Sequence, residues 1–510
     1  MGDGELILNR KARRARRKHE VLVHSSGLCV FAVLLPHLGN FSELRCVIAQ
    51  IQKMYIEQLY TNCLAEAAYY IESEGEAAII DPLRETEPYL SLSTARGASI
   101  KYVFETHFHA DFVSGHIDLA RKVNAPIIFG PMANTDYKII NAKDNEEFKL
   151  GKVTFRVLHT PGHTPESACF LLLDENGKDY AVFTGDTLFV GDVGRPDLLD
   201  GIISREDLAG MLYDSLNNKI KTLSDETIVY PAHGPGSACG KNIGKETFST
   251  IGEQKKFNYA LQAKTREEFI TQVTDGIVPP PQYFFEDARI NKTGYDPIDG
   301  VLESNNKPLS LSQFKSEMKA GALILDTRAA DEFEKGFIPE SLNIGLNGQF
   351  AVWVGTLINI QQPLILIADE GKEHESVLRM ARVGYENIKG YLDGGIRTWN
   401  EKLEKVNSIT AKELKSSAMN GAILDVRKPG EWSISHLKEA KFVPLADMPS
   451  NLGEFDKNKS YVVHCGGGYR SMTAISLMKR EGFKNLINVY GGFAAMVDAG
   501  LEMVTEEVSV

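Results

Sequence analysis

Clustered cysteines, long apolar runs and an excess of positive charge are all missing from this sequence. Six cysteines scattered singly over 510 residues do not make a disulfide framework. The absence of any run of about 18 consecutive apolar residues argues against a membrane-spanning protein. A balance of 56 Lys and Arg against 68 Asp and Glu, a net charge of −12, argues against nucleic-acid binding through phosphate contacts. We therefore expect a cytoplasmic protein with reduced thiols.

An apolar content of 43% and a charged content of 24% are typical of globular proteins, and the length predicts about three domains. The first 53 residues differ, because seven of the nine residues from Arg10 to Lys18 are basic and an apolar stretch follows at 28–35. A signal peptide has this order, but no A-x-A-like cleavage site follows. We predict that residues 1–53 are an extension, disordered or not native, with Met54 as the alternative start.

Residues 54–288 alternate short apolar strands with turns and a few helical segments. Residues 69–81 predict a β-hairpin that turns at 73–76. Further strands are predicted at 101–104, 126–129, 153–158, 169–173, 180–183 and 228–230. Three consecutive prolines at 279–281 and the polar stretch 291–299 predict a boundary, so residues 289–305 are predicted to form a linker.

An internal repeat organises the rest of the chain. Residues 320–346 and 420–445 each contain an apolar strand that ends in Asp-x-Arg, an acidic-aromatic pair and a second short strand. The pair Gly394-Gly395 of the first copy corresponds to Gly491-Gly492 of the second. The repeat predicts two α/β domains of about 100 residues each. We call them the first copy (306–404) and the second copy (405–510).

In the first domain, four apolar strands each lead into candidate metal ligands. Strand 102–104 precedes His107, His109 and Asp111. Strand 153–158 precedes His163, strand 181–183 precedes Asp186, and strand 228–230 precedes His233. Strand ends in a layered sheet fold meet at one edge, so these groups can converge. Imidazoles and carboxylates together suit zinc, iron or manganese. One histidine at a strand end is usually structural, but four such coincidences predict a metal site.

The ordered motifs HFHADF, HTPGH, TGD and PAHG resemble the metallo-β-lactamase superfold, whose signature is HxHxDH followed by a His, a bridging Asp and a final His. The resemblance covers residues 54–287 and implies an αββα sandwich. Phe112 stands where the last His of the first motif is expected. In two-metal members, that His and the Asp before it help to hold the second metal. Phe112 therefore favours a single-metal site.

Within this superfold, THFHADFVSGH, HTPGHTPES, TGDTLF, GDVGRPDL and PAHGPGSACGK resemble the persulfide dioxygenases, which bind one ferrous iron through two His and one Asp. The resemblance implies the ligands His107, His163 and Asp186. Such a triad leaves positions open for a persulfide sulfur and for O₂. The groups implied to orient ligands or to hydrogen-bond substrate are His109, Asp111 and His233. Ligation by His109 or His233, as in the zinc relatives, is the alternative.

Two other residues near these motifs are candidates for the site. Arg195 is a candidate for bidentate binding of a substrate carboxylate, and an ion pair with Asp197 or Asp192 is the alternative. Cys239, six residues after His233, is a candidate auxiliary thiol near the metal. A packed, inert thiol is the alternative for Cys239.

In the second copy, the strand 461–464 leads into the loop 465–470, and a helix is predicted over 471–480. A cysteine in a loop that opens a helix faces backbone N–H groups and the positive end of the helix dipole, which stabilise a thiolate or a persulfide anion. Strand, glycine-rich loop and helix in this order resemble rhodanese, the sulfurtransferase family. The resemblance implies Cys465 as sulfur carrier with Arg470 as its catalytic partner. The implied substrate-binding residues are Gly466, Gly467, Gly468 and Tyr469.

The first copy lacks the nucleophile. Its strand 364–367 leads into the acidic loop 368–374, and residues 306–404 contain no cysteine. We predict a catalytically inactive domain with a structural role.

Both resemblances concern sulfane sulfur, so together they predict one α/β multidomain fusion protein. Its first domain is expected to carry one Fe(II) per chain and to oxidise a glutathione or coenzyme A persulfide with O₂ to sulfite. Cys465 is expected to move sulfur among sulfite, thiosulfate and thiol. The remaining expectations are a homo-oligomer and no nucleic-acid or membrane partner. The alternatives are a zinc thioester hydrolase of the glyoxalase II kind and a non-enzymatic sulfide sensor that uses Cys465 as a switch.

Overall fold

The computed structural model describes residues 54–199, 201–416 and 421–505. The predicted extension, residues 1–53, lies outside these ranges. The strands of the first domain are β1 (Tyr55–Thr61), β2 (Glu66–Ser73), β3 (Glu76–Ile80), β4 (Ser99–Glu105), β5 (Ile127–Phe129), β6 (Ile140–Asn141), β7 (Glu147–Leu150), β8 (Val153–His159), β9 (Ala168–Leu173), β10 (Asp179–Gly185), β11 (Ile228–Pro231) and β12 (Ser249–Thr250). They form two six-stranded sheets, ordered β1-β2-β3-β4-β5-β6 and β12-β11-β10-β9-β8-β7.

The helices of this part are α1 (Glu87–Arg96), α2 (His116–Val123), α3 (Arg205–Ser215), α4 (Ile251–Phe257), α5 (Tyr259–Gln262), α6 (Arg266–Thr274), α7 (Phe284–Thr293) and α8 (Ile298–Asn305). Helices α1 and α2 pack against β4 of the first sheet. Leu212 of α3 and Phe269 of α6 share a buried cluster with Val182 of the second sheet. The layers are therefore helix, sheet, sheet and helix.

Aromatic side chains fill the space between the two sheets. The ring of Tyr69 on β2 lies 5.0 Å from that of Phe183 on β10. The ring of Phe104 on β4 lies 4.7 Å from that of Phe170 on β9. Every residue of β9 is buried, because this strand has one face against the first sheet and the other under the outer helices. The predicted hairpin is the antiparallel pair β2 and β3.

The segment predicted as a linker is mostly helical. Residues 289–305 contain the end of α7 and all of α8. Asp287 and Asn291 of α7 are buried, so this helix packs into the protein although a polar sequence surrounds it.

The two copies share one strand arrangement. The strands of the first copy are β13 (Pro308–Leu309), β14 (Leu323–Asp326), β15 (Leu342–Asn343), β16 (Leu364–Ile367) and β17 (Ile388–Leu392). Those of the second copy are β18 (Asn407–Thr410), β19 (Ala422–Asp425), β20 (His436–Leu437), β21 (Ala440–Phe442), β22 (Ser460–His464), β23 (Asn485–Tyr490) and β24 (Met503–Val504). The parallel sheets are ordered β13-β17-β16-β14-β15 and β18-β23-β22-β19-β21. The equal order reflects the repeat seen in the sequence.

The helices of the first copy are α9 (Leu311–Lys319), α10 (Ala330–Lys335), α11 (Phe350–Leu357) and α12 (Glu373–Ala381). Those of the second copy are α13 (Ala411–Ser416), α14 (Pro429–Ile434), α15 (Met448–Asn451), α16 (Tyr469–Arg480) and α17 (Gly492–Asp498). Each Asp-x-Arg motif is a buried ion pair that closes a central strand: Arg328 donates to Asp326 and Arg427 to Asp425. Among the helices of the described ranges, none has the length and apolar character needed to span a membrane.

Two arginines, one fully buried and one partly buried, join the first domain to the first copy. The fully buried guanidinium of Arg84 donates to Glu386 at 2.9 Å and lies over the Tyr295 ring, 3.7 Å from its centroid. Arg382, just after α12, donates to Glu85, and its carbonyl oxygen accepts from Val113 N–H at 2.7 Å. Buried charges are stable only when they are paired, so these contacts fix the two domains against each other.

Candidate metal centre and sulfur-transfer loop

The ends of β4, β8, β10 and β11 bring the predicted ligands together in a buried cluster. One ligand atom from each of His107, His163 and Asp186 lies within 4.8 Å of the other two. A second group with the same spacing contains His109, Asp111 and His233. All six side chains are buried.

Asp186 stands between the two groups. Its Oδ2 atom lies 3.4 Å from His163 Nε2 and 3.9 Å from His107 Nε2. Its Oδ1 atom lies 3.5 Å from His233 Nε2, which is also 3.4 Å from Asp111 Oδ2. The carboxylate therefore faces three imidazole nitrogens.

The other ring nitrogens of these histidines are already engaged. His163 Nδ1 lies 2.8 Å from the carbonyl oxygen of Arg195, and His233 Nδ1 lies 3.1 Å from that of Ala65. Since a carbonyl oxygen only accepts, both Nδ1 atoms carry a proton, so in the neutral rings both Nε2 atoms present a lone pair. His107 Nδ1 lies 2.9 Å from Thr106 Oγ1, whose hydroxyl donates to Asp81, which gives His107 the same tautomer.

With neutral histidines, the Asp186 carboxylate and the facing Nε2 atoms are all hydrogen-bond acceptors, and no donor from the described part of the chain lies between them. Within the described ranges, both carboxylate oxygens of Asp186 and the Nε2 atoms of His163 and His233 are buried without a hydrogen-bond partner. Leaving such groups unsatisfied costs about 1–3 kcal/mol each. A cation held by His107, His163 and Asp186 would satisfy the acceptor atoms of that group, so this set of side chains fits a metal ion.

Burial keeps the imidazole of His107 neutral. It lowers the pKa of His107 well below the ordinary value, and the neighbouring rings of His109 and His163 lower it further. The neutral form is the one that binds a metal.

His109 and Phe112 pack together at the place where the sequence resemblance implies the second metal of two-metal relatives. His109 Nε2 lies 3.2 Å from Asp81 Oδ1 and 3.8 Å from Glu105 Oε2. The Phe112 ring is fully buried and packs on the His109 ring, with centroids 4.4 Å apart. An apolar ring offers no ligand atom at this place.

Two residues of the site were missed in the sequence. Asp81 ends the predicted hairpin and accepts from both Thr106 N–H and Thr106 Oγ1–H at 2.8 Å, which fixes the start of the HxH loop. Asn291 of α7 donates to the carbonyl oxygens of His109 and Phe112 at 2.7 Å and accepts from Ser114 N–H at 2.9 Å. Asn291 thus anchors the HxH loop from a segment predicted as a linker.

Arg195 forms the ion pair with Asp197 that was the alternative to a substrate-binding role. Its Nε and Nη2 atoms donate to the two carboxylate oxygens of Asp197, both at 2.7 Å, and Nη2 also donates to the carbonyl oxygen of Val278. The pair is buried. The two guanidinium nitrogens that could bind a substrate carboxylate therefore donate to Asp197. The carbonyl oxygen of Arg195 contacts His163 Nδ1 and so orients that ring.

Cys239 lies at the edge of the cluster. Its Sγ atom lies within 4.8 Å of one ligand atom of Asp186 and one of His233. Burial raises the pKa of Cys239 well above the ordinary thiol value, and the carboxylates of Asp111 and Asp186 raise it further. The role of Cys239 as an auxiliary thiol stays a prediction.

The loop after β22 surrounds the Cys465 sulfur with backbone. Gly468 N–H donates to Cys465 Sγ at 3.1 Å, and Gly468 caps α16 with a φ of 111° that other residues rarely adopt. The sulfur therefore faces the N-terminus of a helix. The helix begins at Tyr469, two residues before the predicted start.

Arg470 and Tyr469 have partners that the sequence did not indicate. Arg470 forms a two-pronged ion pair with Glu431 of α14, and Arg470 Nη2 lies 2.8 Å from Glu431 Oε1. Although burial raises the pKa of Glu431, this pair holds it below the ordinary value. The Tyr469 hydroxyl donates to the carbonyl oxygen of Gly345 in the first copy at 2.7 Å. The Tyr469 side chain thus contacts another domain, and its substrate-binding role stays a prediction.

The glycine pairs show which residue replaces the nucleophile in the first copy. A Cβ atom at Gly492 would lie 2.4 Å from the carbonyl oxygen of Cys465, and one at Gly395 would lie 3.0 Å from that of Ala368. Ala368 therefore stands in the place of Cys465. Its loop carries an exposed ion pair between Glu370 and Arg397, in keeping with the absence of a sulfur-binding group.

Comparison with known families agrees with this architecture. Residues 61–233 match the sequence model of the metallo-beta-lactamase superfamily, and residues 310–402 and 410–499 match that of the rhodanese-like domain. The chain belongs to the metallo-β-lactamase superfamily. Its particular form is a metallo-β-lactamase domain followed by two rhodanese-like domains, as the sequence predicted.

Curated relatives of two kinds resemble the first domain equally. The probable hydroxyacylglutathione hydrolase glo2 of Schizosaccharomyces pombe is 30% identical over 204 residues, 36% of this chain and 75% of that protein. The mitochondrial persulfide dioxygenase ETHE1 of Homo sapiens is 30% identical over 210 residues, 41% of this chain and 74% of that protein. Among solved structures, a metallo-beta-lactamase from Staphylococcus aureus subsp. aureus COL is 32% identical. The match covers 67% of this chain and 99% of the Staphylococcus aureus chain, with a TM-score of 0.60.

Replacing Phe112 by His is expected to create a second metal position. The new imidazole would stand beside Asp111 and His233, whose ligand atoms already lie close together. Zinc content, measured by mass spectrometry after loading, is expected to rise from about one to about two ions per chain. The control is Phe112→Leu, which keeps an apolar side chain and one ion. An unchanged zinc content in a folded Phe112→His protein would contradict the assignment of this position.

Proposed function

We propose that the first domain oxidises a low-molecular-weight thiol persulfide with O₂ and that the second copy transfers sulfane sulfur through Cys465. The oxidation balances as R–S–S⁻ + O₂ + H₂O → R–SH + SO₃²⁻ + H⁺, and glutathione and coenzyme A are the candidate thiols. One observation carries the proposal: a buried group of two histidines and one carboxylate occurs in the same chain as a cysteine at a helix N-terminus.

The proposed ligands of a single ferrous ion are His107, His163 and Asp186. The ion would supply open coordination positions for the persulfide sulfur and for O₂. The carbonyl oxygen of Arg195 keeps His163 in the ligating tautomer, and Phe112 keeps the neighbouring position apolar. His109, Asp111 and His233 are proposed to orient the site and to hydrogen-bond substrate.

Cys465 is proposed to receive sulfur in an exchange that needs no oxidant: R–S–S⁻ + Cys465–S⁻ → R–S⁻ + Cys465–S–S⁻. The S–S bond to R breaks, its electron pair stays on the departing thiolate, and a new S–S bond forms on Cys465. The Gly468 N–H that donates to Sγ and the start of α16 stabilise the anion. Arg470 adds positive charge, which Glu431 partly neutralises.

A zinc thioester hydrolase is the second candidate, because hydroxyacylglutathione hydrolases resemble the first domain as closely as persulfide dioxygenases do. In that reaction, zinc held by the same histidine and aspartate side chains would supply the activated water that hydrolyses a thioester. Two features favour the persulfide reaction. Phe112 removes one ligand of a two-metal site, and the second copy carries a sulfur-handling cysteine.

The deciding experiment measures the metal content of anaerobically purified protein together with O₂ uptake on addition of glutathione persulfide. About one iron per chain with rapid uptake is the expected result. Two zinc ions, no uptake and hydrolysis of a glutathione thioester would replace the proposal with the second candidate.

A further inference from the structure

Each rhodanese-like copy carries an acidic-aromatic pair shortly after its Asp-x-Arg motif. The pair is Glu332-Phe333 in the first copy and Glu431-Trp432 in the second. Both pairs lie on short helices, α10 and α14. The repeat therefore offers two copies of one motif, and only the second copy also has the nucleophile Cys465.

The two acidic side chains have different partners. Glu332 is exposed and forms an ion pair with Lys335 of its own helix, at 2.6 Å. Glu431 instead forms its two-pronged ion pair with Arg470, at the start of α16. Of these two acids, the one that pairs with a residue of the sulfur loop is thus the one in the copy with the nucleophile.

The Arg470–Glu431 pair lies against the backbone of the sulfur loop. A Cβ atom at Gly466 would lie 3.2 Å from Arg470 Nη2 and 3.7 Å from Glu431 Oε1. Such an atom would stand about 1.5 Å from the Cα atom, so both charged groups lie within about 5 Å of the residue that follows Cys465. Although burial lowers the pKa of Arg470, Glu431 raises it above the ordinary value and the Cys465 sulfur raises it further.

Neighbouring groups hold the Glu431 carboxylate in this position. The ring of Trp432 stacks on that of His436, with centroids 3.6 Å apart, and on that of Phe442, with centroids 4.7 Å apart. Glu431 Oε2 also accepts from Lys428 N–H at 3.2 Å. Although burial raises the pKa of Glu431, the pair with Arg470 holds it below the ordinary value, so the carboxylate is charged at neutral pH.

Glu431 therefore cancels most of the positive charge that Arg470 brings to the loop. The start of α16, equivalent to about half an elementary charge, and the Gly468 N–H on Cys465 Sγ remain to stabilise an anion. Burial lowers the pKa of Lys428, and Arg470 lowers it further while Glu431 raises it, so this cation lies near the pair. These groups suit a donor with one negative charge. Thiosulfate carries two, and its interaction with the charge of Glu431 is twice as unfavourable.

We propose that Glu431, by neutralising Arg470, makes the Cys465 loop accept sulfur from donors with one negative charge, such as persulfides, in preference to the dianion thiosulfate. The inference rests on the proposed sulfur transfer through Cys465, and Glu431 is a positioning residue because it acts through Arg470. The disfavoured step is Cys465–S⁻ + S₂O₃²⁻ → Cys465–S–S⁻ + SO₃²⁻. The S–S bond of thiosulfate breaks, its electron pair stays on sulfite, and the outer sulfur bonds to Cys465.

The test compares two donors that break the same kind of S–S bond: thiosulfate, with two negative charges, and methanethiosulfonate, CH₃–SO₂–S⁻, with one. Sulfur transfer from each to cyanide is measured with the full chain as kcat/KM. Glu431→Gln keeps an acceptor for Lys428 N–H but removes the charge. It is expected to raise kcat/KM about tenfold for thiosulfate and about threefold for methanethiosulfonate, because the Coulomb energy is proportional to the charge of the donor. A loss of structure lowers both values and does not imitate a gain.

Glu431→Ala also removes the charge and is expected to shift the ratio of the two kcat/KM values in the same direction, which covers the case that Glu431→Gln does not fold. The matched control is Glu332→Gln, which removes the corresponding carboxylate of the first copy and is expected to keep both values. An unchanged donor ratio in the folded Glu431 variants would overturn the inference. Failure of both donors to place sulfur on Cys465 of the wild type marks failure of the proposed function itself.

Discussion

Replacing Asp186 by Ala is expected to abolish metal binding and O₂ uptake while the sulfurtransferase reaction continues. Asp186 is the carboxylate that faces His107, His163 and His233, and its two oxygens have no other partner among the described residues. Loss of a group that merely supports a ligand costs about 10–100-fold in affinity or activity, so loss of this carboxylate is expected to cost more than 100-fold. Metal analysis and an oxygen electrode measure the two effects.

The matched control is Asp225→Ala, which removes an exposed carboxylate of the same domain that forms an ion pair with Lys255. Transfer of sulfur from thiosulfate to cyanide is expected to stay within about twofold of wild type in both variants, because Cys465 belongs to another domain. An Asp186→Ala protein that keeps its metal and its O₂ uptake would refute the assigned centre.

Replacing Cys465 by Ser is expected to give the opposite pattern. A serine hydroxyl has no thiolate form to accept sulfane sulfur, although it fits the space that the Gly468 N–H and α16 define. Removal of a nucleophile costs several orders of magnitude, so transfer from thiosulfate to cyanide is expected to fall at least about 1,000-fold. O₂ uptake with glutathione persulfide is expected to survive.

Mass spectrometry gives an independent measure, because wild-type protein incubated with thiosulfate is expected to gain the mass of one sulfur atom and the variant is not. Cys63→Ser, which changes a thiol outside both sites, is the control and is expected to keep both activities. Loss of O₂ uptake together with transfer in Cys465→Ser would show that the two sites are not separate.

Much of the metal site could be predicted because strand ends place side chains at one edge of a sheet. His107, His163, Asp186 and His233 each follow an apolar strand, and the structure brings all four within contact distance. The repeat was equally readable, since two copies of a strand ending in Asp-x-Arg require the same sheet order. In both cases a local pattern carried the information.

The supports of the site could not be predicted in this way. Asn291 lies 182 residues from His109 in the chain, and nothing in its neighbourhood distinguishes a buried anchor from a polar linker. The role of Arg195 was ambiguous in the sequence. Its partner Asp197 lies only two residues away, and an Arg and an Asp at this spacing are too common to predict an ion pair. Tyr469 looked like part of a substrate loop, and only the packing of the two copies shows that its hydroxyl serves the contact with Gly345.

The anchoring of the HxH loop by α7 bears on how this gene can be cut and recombined. A chain that stops at residue 288 retains every proposed metal ligand, yet it loses Asn291 and leaves the carbonyl oxygens of His109 and Phe112 and the amide of Ser114 without partners. It also loses Arg382, the partner of Glu85. In protein engineering, the metal domain of this chain is therefore expected to need the first copy beside it, so the two are best kept as a single block.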